Sequence, residues 1–300
     1  MHFMLDGRSA APDQLLALKK AYAGHGIFAV TDMGHRNGPG LQAKSLFQPE
    51  IEVISAGIAL YRHGTYGSFL GKGVSDTSKI INAVNEIADA GADFIKAINS
   101  GIVSPEKKGL VSDGGFSYKE LYVLCETAHS RGLHVVCHAN SDAAVLKAVK
   151  AGVRSIEHGF FVSRETLHRM ADSGIAWVPT IFALRSLERS YPAAERSVIE
   201  RTVDEHLSSV NYAASIGVPL FIGTDSGSKG VPHGSSFFDE LRLFKKAGLS
   251  SEQIIKAACM HESEIDKGNY LLVTPDFMVR AVFKDGRQAE GVSFNELDEH

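Results

Sequence analysis

Two histidines, His138 and His158, end short apolar runs twenty residues apart, and both have the chemistry of metal ligands. Imidazole nitrogen is a ligand that zinc, manganese and iron accept. Between them, Ala144 and Val145 stand at helical spacing and Gly152 occupies a stop position. A strand, helix, strand unit places the ends of two parallel strands side by side, so the two imidazoles can share one ligand. Because a single histidine in a strand is more often structural, the pair alone leaves the metal site open.

Lys96 and Asp225 add two further candidates. Lys96 lies in the apolar run DFIKAI, where an ammonium group is costly to bury without a partner. A salt bridge, or a side chain that reaches solvent, would explain Lys96 without any chemistry. Asp225 follows the apolar run FIGT, where it can bind a metal or simply cap a turn. The coincidence of these residues with the histidines at strand ends favours a shared function.

The elements that must position these residues alternate between strand and helix. Such alternation predicts a parallel sheet, and eight units predict a closed (β/α)8 TIM barrel, whose sites lie at the C-terminal ends of the strands. We predict a barrel domain over residues 1–265 and a small C-terminal β appendage over residues 266–300. The glycine-rich stretch 61–74 is predicted to be a loop. The predicted strands cover residues 1–7, 27–31, 51–60, 93–98, 134–139, 155–158, 176–181 and 220–224.

The composition argues against nucleic acids and membranes as partners. The formal net charge is -4, and no apolar run reaches the roughly 18 to 20 residues of a membrane span. Three cysteines, Cys125, Cys137 and Cys259, lack metal-type spacing and indicate a reducing, cytoplasmic setting. A small-molecule substrate is the remaining kind of partner, and homo-oligomerisation stays open.

The runs DFIKAINSG, HVVCHAN, SIEHG and FIGTDSG, in this order and spacing, resemble the amidohydrolase superfamily of metal-dependent hydrolases. The segments AGVRSIEHG, VPT and PHG are similar to those of one branch of this superfamily, the prolidase-like dipeptidases and acyl-amino-acid hydrolases. The resemblance covers most of residues 1–265. It implies hydrolysis of an amide or peptide-like C–N bond in a dipeptide or an N-acyl amino acid. It also implies a divalent metal, zinc foremost, in one or two copies.

The resemblance gives each candidate residue a role. Lys96 would be N-carboxylated and would bridge two metals, which also removes the cost of burying a cation, because a carbamate is an anion. His138 and His158 would bind the more buried metal. Asp225 would bind the other metal and would carry a proton from the attacking hydroxide to the leaving amine.

The first strand departs from the family pattern, which has a His-x-His pair there. This chain begins Met1-His2-Phe3-Met4. Either His2 is the second histidine and the first is absent, or His2 is the first and Met4 replaces the second. The LDG that follows favours the former. The resemblance then implies a shortened N-terminus, a C-terminal remnant of a small β-sandwich, and a more exposed metal that lacks one ligand.

Substrate contacts are expected from the loops. The resemblance places His63 and Tyr66, after the third strand, and His233, after the eighth, near the substrate. A hydrogen-bond donor there would stabilise a developing oxyanion, although ordinary loop residues are the alternative.

Two rival functions stay open. One is another hydrolysis of the superfamily, of a lactone, a phosphoester or an aminated ring, and the other is a metal-poor, inactive barrel that acts as a binding protein.

Overall fold

Parallel strands surround a central cavity, and helices cover the outside of the wall. The computed structural model describes residues 1–5, 8–259 and 268–289. The strands are β1 (Met4–Leu5), β2 (Arg8–Ser9), β3 (Ala29–Asp32), β4 (Glu52–Ser55), β5 (Ala59–Arg62), β6 (Gly71–Val74), β7 (Ile95–Ile98), β8 (Val135–Ala139), β9 (Ser155–His158), β10 (Ala176–Val178), β11 (Tyr270–Val273), β12 (Val279–Lys284) and β13 (Arg287–Gln288). The helices are α1 (Pro12–Gly24), α2 (Pro39–Phe47), α3 (Thr77–Asp89), α4 (Tyr118–Ser130), α5 (Asp142–Ala151), α6 (Arg164–Asp172), α7 (Ile181–Arg185), α8 (Ala193–Ser215), α9 (Ser236–Lys246) and α10 (Ser251–Ala258), with a 3-10 helix at Ser186–Ser190.

The strand register decides which side chains enter the barrel. A six-stranded parallel sheet has the order β10-β9-β8-β7-β5-β6, and β3 pairs with β4. Ala97 of β7 and Cys137 of β8 belong to the apolar core between the sheet and the helices. Because side chains alternate along a strand, Lys96 and His138 point the other way, into the barrel. His138 lies opposite Glu157 of β9, which therefore shares that inner face.

Main-chain hydrogen bonds join the separate sheets into a ring. They run from Asp93 N to Ser55 O (2.9 Å), from Met33 N to Met1 O (2.7 Å), from His2 N to Ser226 O (2.9 Å) and from Phe221 N to Trp177 O (3.0 Å). The described residues thus form a barrel wall of eight segments, which we call staves: residues 1–3, 29–32, 52–55, 95–98, 135–139, 155–158, 176–178 and 220–226. The predicted (β/α)8 barrel is thereby confirmed.

The third predicted strand and the loop after it differ from the prediction. Residues 51–60 contain β4 and the start of β5, and the stretch 61–74 includes a strand, β6, which pairs with β5. A side chain at Gly71 would place its Cβ 1.7 Å from Ala59 O. The glycines that suggested a loop are therefore what permits the two strands to approach.

The first and last staves are also less regular than predicted. Residues 4–5 form β1 and pair antiparallel with β2 instead of extending the barrel wall. Residues 220–224 contribute one bridge, between Leu220 and Trp177, instead of a full strand. The amide of Ile222 donates to Ala257 O at the end of α10 (2.9 Å), so it does not pair with a neighbouring stave.

The unit between the two histidines forms as predicted. The side chain of Ser141 accepts a hydrogen bond from Ala144 N and caps α5, and Gly152 ends the helix with a φ of +84°. This places α5 between β8 and β9, which pair in parallel. Their C-terminal ends therefore stand side by side at one mouth of the barrel.

The C-terminal strands β11, β12 and β13 form an antiparallel sheet that packs on the barrel. Phe277 and Val282 are buried in the main core cluster. The predicted division at residue 265 lies outside the described residues. None of the helices in the described part of the chain combines the length and apolar character needed to cross a membrane.

Candidate metal and active site

The predicted ligands all line one cavity of about 2360 Å³ inside the barrel and at its mouth. They come from five different staves: His2, Lys96, His138, His158 and Asp225. Three non-glycine residues here have left-handed backbone, His158 (φ +68°), Thr180 (φ +48°) and Asp225 (φ +57°). Such strain is costly, and it persists where the surrounding structure determines the conformation, often at functional sites.

His138 and His158 lie together, with ring centroids 4.5 Å apart. His138 Nε2 lies 3.0 Å from Gly101 O, and His158 Nδ1 lies 2.6 Å from Thr180 Oγ1. In the described part of the chain, the other nitrogen of each ring has no hydrogen bond. One nitrogen of each ring is therefore held by the protein, and the second remains for a ligand.

Burial keeps both of these imidazoles neutral. It lowers the pKa of His138 to about 4. It also lowers the pKa of His158 well below its usual value, and the neighbouring His138 adds to the effect. A neutral imidazole is the form that binds a metal. The pair is therefore in the ligating form at neutral pH.

Lys96 is 3% exposed, in the middle of β7. It forms no salt bridge with any described residue. Burial lowers its pKa, although the more distant charge of Glu157 acts in the opposite direction. This setting favours the neutral amine, so neither an ion pair nor a solvent-reaching side chain explains the residue.

His2 and Asp225 face each other across the mouth. His2 Nδ1 lies 2.6 Å from Gly34 O, and His2 Nε2 lies 3.4 Å from Asp225 Oδ1. A carbonyl oxygen only accepts, so Nδ1 carries a proton. In a neutral ring the lone pair of Nε2 would then point at a carboxylate oxygen. That contact requires either a second proton on His2 or a cation between the two groups.

Asp225 itself is ionised. Burial opposes ionisation, but the hydrogen bond and the charge of His2 outweigh it and hold the pKa of the Asp225 carboxyl well below its usual range. Asp225 Oδ2 also accepts a hydrogen bond from Ser228 Oγ (2.9 Å). The second oxygen is thus fixed while Oδ1 faces His2.

Of the three predicted substrate residues, Tyr66 lines the cavity and His63 and His233 do not. Tyr66 lines the cavity with its ring 5.7 Å from that of His138, and burial raises its pKa, so its hydroxyl keeps its proton. His63 is exposed and does not line the cavity. His233 Nδ1 lies 2.6 Å from the Tyr22 hydroxyl and its Nε2 lies 2.8 Å from Met4 O. Both ring nitrogens of His233 are thus engaged within the protein.

Comparison with known proteins identifies the family of the chain. The profile of the amidohydrolase family matches residues 14–265. The chain belongs to the amidohydrolase family. An uncharacterised protein of Mycobacterium tuberculosis is 29% identical over 214 residues, which are 69% of this chain and 56% of that protein. Ochratoxinase of Aspergillus niger is 26% identical over 259 residues, 82% of this chain and 51% of the enzyme. The chain thus spans about half the length of the curated relatives it matches.

Solved structures show the same amidohydrolase fold. The crystal structure of a Xaa-Pro dipeptidase, with methionine bound in its active site, superposes with a TM-score of 0.75 at 23% sequence identity. The match covers 94% of this chain and 81% of the dipeptidase chain. At this identity the likeness concerns the fold.

Amidohydrolases generally use divalent metals, and the residues of this chain fit such a group. In the described part of the chain, no set of three or more histidine, cysteine, aspartate or glutamate side chains stands in metal-binding geometry. The donors nevertheless have the right chemistry, because His2, His138 and His158 each have one ring nitrogen at an oxygen of the protein. Metal-binding histidines show this arrangement, which fixes their tautomer. The contact of His2 Nε2 with Asp225 Oδ1 likewise suits either a second proton on His2 or a bound cation.

Some residues of the site were not found from the sequence. Glu157 is 3% exposed, and its Oε1 has no hydrogen-bond partner in the described part of the chain. The alternation of side chains along a strand could have indicated it, because Glu157 shares the inner face of β9 with Ser155. Thr180 contacts His158 and belongs to the VPT motif, and the motif alone does not indicate this contact. Asn140 donates to Gly101 O (3.2 Å), the same carbonyl that holds His138.

Proposed function

We propose that this amidohydrolase is a metal-dependent enzyme that cleaves the amide C–N bond of a dipeptide or an N-acyl amino acid. The observation that carries the proposal is the convergence of two neutral imidazoles, a buried lysine and an ionised aspartate on one cavity. The similar fold of a Xaa-Pro dipeptidase and the sequence similarity to ochratoxinase support this reaction class.

One or two zinc ions would be held by His2, His138, His158, Asp225 and an N-carboxylated Lys96. When bound, the metal supplies an activated water and polarises the carbonyl group. Carboxylation begins from the neutral amine that burial favours at Lys96. Its nitrogen forms a bond to the carbon of carbon dioxide and loses a proton, which yields the anionic carbamate.

Asp225 would move the proton of the reaction. Its carboxylate is ionised, and Ser228 holds Oδ2, so Oδ1 is the oxygen available to accept a proton from the attacking water. Passing that proton to the nitrogen of the scissile bond converts it into a neutral amine, which can leave.

Tyr66 is the candidate donor to the developing oxyanion. Its hydroxyl is protonated and it stands beside His138, whereas His63 is exposed and His233 is already engaged. Donors that are oriented before the reaction stabilise such a charge strongly. Phe69 and Leu70 pack near Tyr66 and line the same cavity, so an apolar group of the substrate would fit there.

A panel of substrates tests the reaction class. Dipeptides and N-acyl amino acids should be hydrolysed with zinc present, and Asp225→Asn should lower the rate by about 100- to 10,000-fold, the range that general acid–base catalysis contributes. Asp172→Asn, at an exposed position at the end of α6, is the matched control and should leave the rate unchanged. Turnover of lactones, phosphoesters or aminated rings without amide cleavage would replace the proposal by one of its rivals. No turnover of any of them would favour a binding protein.

Two further expectations accompany the proposed function. We infer a reducing, cytoplasmic setting for the protein, as the spacing of Cys125, Cys137 and Cys259 indicates. The expected partner is a small molecule, because the predicted ligands line a concave cavity inside the barrel and at its mouth.

A further inference from the structure

We propose that Glu240 is a positioning residue of this site, because it fixes the turn after β10 and thereby lets the Thr180 hydroxyl select the tautomer of His158. Glu240 touches neither the cavity ligands nor the substrate space directly. The inference rests on the proposed function only for the identity of the ligand that His158 would bind.

Glu240 is fully buried on α9. Its Oε1 accepts a hydrogen bond from Ile181 N (2.8 Å), and its Oε2 accepts one from Phe182 N (2.7 Å). These amides begin α7, where the first N–H groups of a helix have no partner within the helix. A single carboxyl group from a distant helix therefore holds two consecutive amides directly after Thr180.

Thr180 adopts a conformation that its side chain disfavours. Its φ is +48°, a left-handed value that is rare for a β-branched residue. Such a conformation persists only where neighbouring contacts determine it. The contacts of Glu240 on one side supply part of this constraint. On the other side, Pro179 O accepts a hydrogen bond from His206 Nε2 (3.1 Å), and His206 is buried against Phe160.

The hydrogen bonds of the Thr180 hydroxyl then decide where the proton of His158 lies. Thr180 Oγ1 donates its one proton to Pro179 O (2.8 Å). It must therefore accept at its contact of 2.6 Å with His158 Nδ1, which places the imidazole proton on Nδ1. The lone pair of His158 is then on Nε2, which becomes the nitrogen available to a metal.

The main chain of His158 is held independently. Trp177 Nε1 donates to His158 O (2.9 Å), and a Cβ on Gly159 would lie 2.5 Å from the same Nε1. The tryptophan thus fixes the left-handed backbone of His158, while Thr180 fixes its ring. Loss of the Thr180 contact should therefore change the ring and its proton without displacing the strand.

The test compares Thr180→Val, which removes the hydroxyl and keeps the shape, with Thr180→Ser, which keeps the hydroxyl. The first readout is nitrogen NMR of His158 in the metal-free protein, which reports the tautomer. The second is zinc affinity, measured by competition with a chelating dye. We expect Thr180→Val to mix the tautomers and to weaken zinc binding by about 10- to 100-fold, the usual effect of removing such a partner. Thr180→Ser should behave like the wild type.

Glu240→Gln tests the distant part of the chain of contacts. An amide group has one acceptor oxygen, so one of the two main-chain N–H groups loses its partner, and we expect the tautomers of His158 to mix and zinc to bind less tightly. Asp239→Asn on the same helix is the control, since its partner is Arg242 (2.6 Å) and not the turn. If Glu240→Gln does not fold, Glu240→Asp is measured in its place. This variant keeps the carboxyl group but shortens the side chain, so the contact with the turn is lost and the same result is expected.

An unchanged tautomer and unchanged zinc affinity in folded Thr180→Val, or in the folded Glu240 variant, would overturn the inference and leave Glu240 as a structural cap. The tautomer is measured without metal or substrate. If the wild-type chain hydrolyses no amide but shows the Nδ1-protonated His158, the proposed function fails and this inference stands.

Discussion

His2, His138 and His158 each have one ring nitrogen against an oxygen of the protein. The other nitrogen of His2 faces Asp225 Oδ1 (3.4 Å), and those of His138 and His158 have no hydrogen bond in the described part of the chain. The sequence predicts these residues as ligands, because His138 and His158 end strands and His2 lies in the predicted first strand. It could not indicate their partners, Gly34 and Gly101, because these are main-chain carbonyl groups of loops that lie far away in the chain. Only the closed barrel brings such loops to the histidines.

His206 permits a test of a buried imidazole that lies outside the predicted ligand set. It is 3% exposed, and burial lowers its pKa to about 4 from 6.5. Between these two pH values the unfolded chain takes up a proton that the folded chain refuses, so stability falls as the pH drops from 6.5 towards 4. At 1.36 kcal/mol per pKa unit, the loss attributable to His206 is at most about 3 kcal/mol.

Urea denaturation at pH 7 and at pH 4.5 measures this loss. The free energy of unfolding of His206→Gln should depend less steeply on pH than that of the wild type. The exposed His129→Gln is the control and should keep the wild-type dependence. An identical dependence in His206→Gln would show that this imidazole is not held neutral by burial.

At the scale of elements, a loop at the mouth of the barrel contacts one of the predicted ligands. The loop after β7 folds back on itself as a hairpin, in which Ser112 N donates to Ile102 O (2.9 Å) and Ser104 N donates to Leu110 O (2.9 Å). Gly101, at its base, presents to His138 the carbonyl oxygen that fixes the ring. The hairpin that borders the substrate space is therefore also part of the support of a ligand.

Gly101→Ala should disturb this support. The added Cβ would lie 2.1 Å from Ser112 Oγ and 2.3 Å from Ser112 O, so the main chain must shift and carry the carbonyl group away from His138. We expect zinc affinity to fall by about 10- to 100-fold, by analogy with the loss of other partners of metal-binding histidines. Gly24→Ala is the matched control, because nothing lies within 4 Å of its Cβ. Equal zinc affinities in the two variants would refute the role of the hairpin.

The elements also show where sequence patterns mislead. Glycine is depleted in strands, so the sequence predicts a loop around Gly71 and Gly73, whereas in the structure these glycines let β6 approach β5. The helix between His138 and His158 was predicted correctly, since its cap at Ser141 and its stop at Gly152 are local signals. Signals within one element, such as the start and end of a helix, can be predicted from the sequence. The close approach of two main-chain segments cannot.

At the scale of the whole molecule, regular alternation predicted the barrel, because eight strand and helix units have few ways to bury their apolar faces. The irregular staves at residues 1–3 and 220–226 were not predictable, since their pairing depends on contacts with β3, β10 and α10. Whether residues 1–265 and 266–300 are separate domains stays a prediction. The predicted ligands come from five staves, so the ring as a whole brings them together.

The central claim is that this barrel hydrolyses an amide bond with a metal held by those ligands. The direct measurement is the rate of amide hydrolysis by the wild-type chain before zinc removal with a chelator, after it, and after zinc is returned. A metal that contributes several kcal/mol to the transition state predicts a loss of about 1000-fold on removal and recovery on return. A rate that is the same with and without metal would contradict the claim.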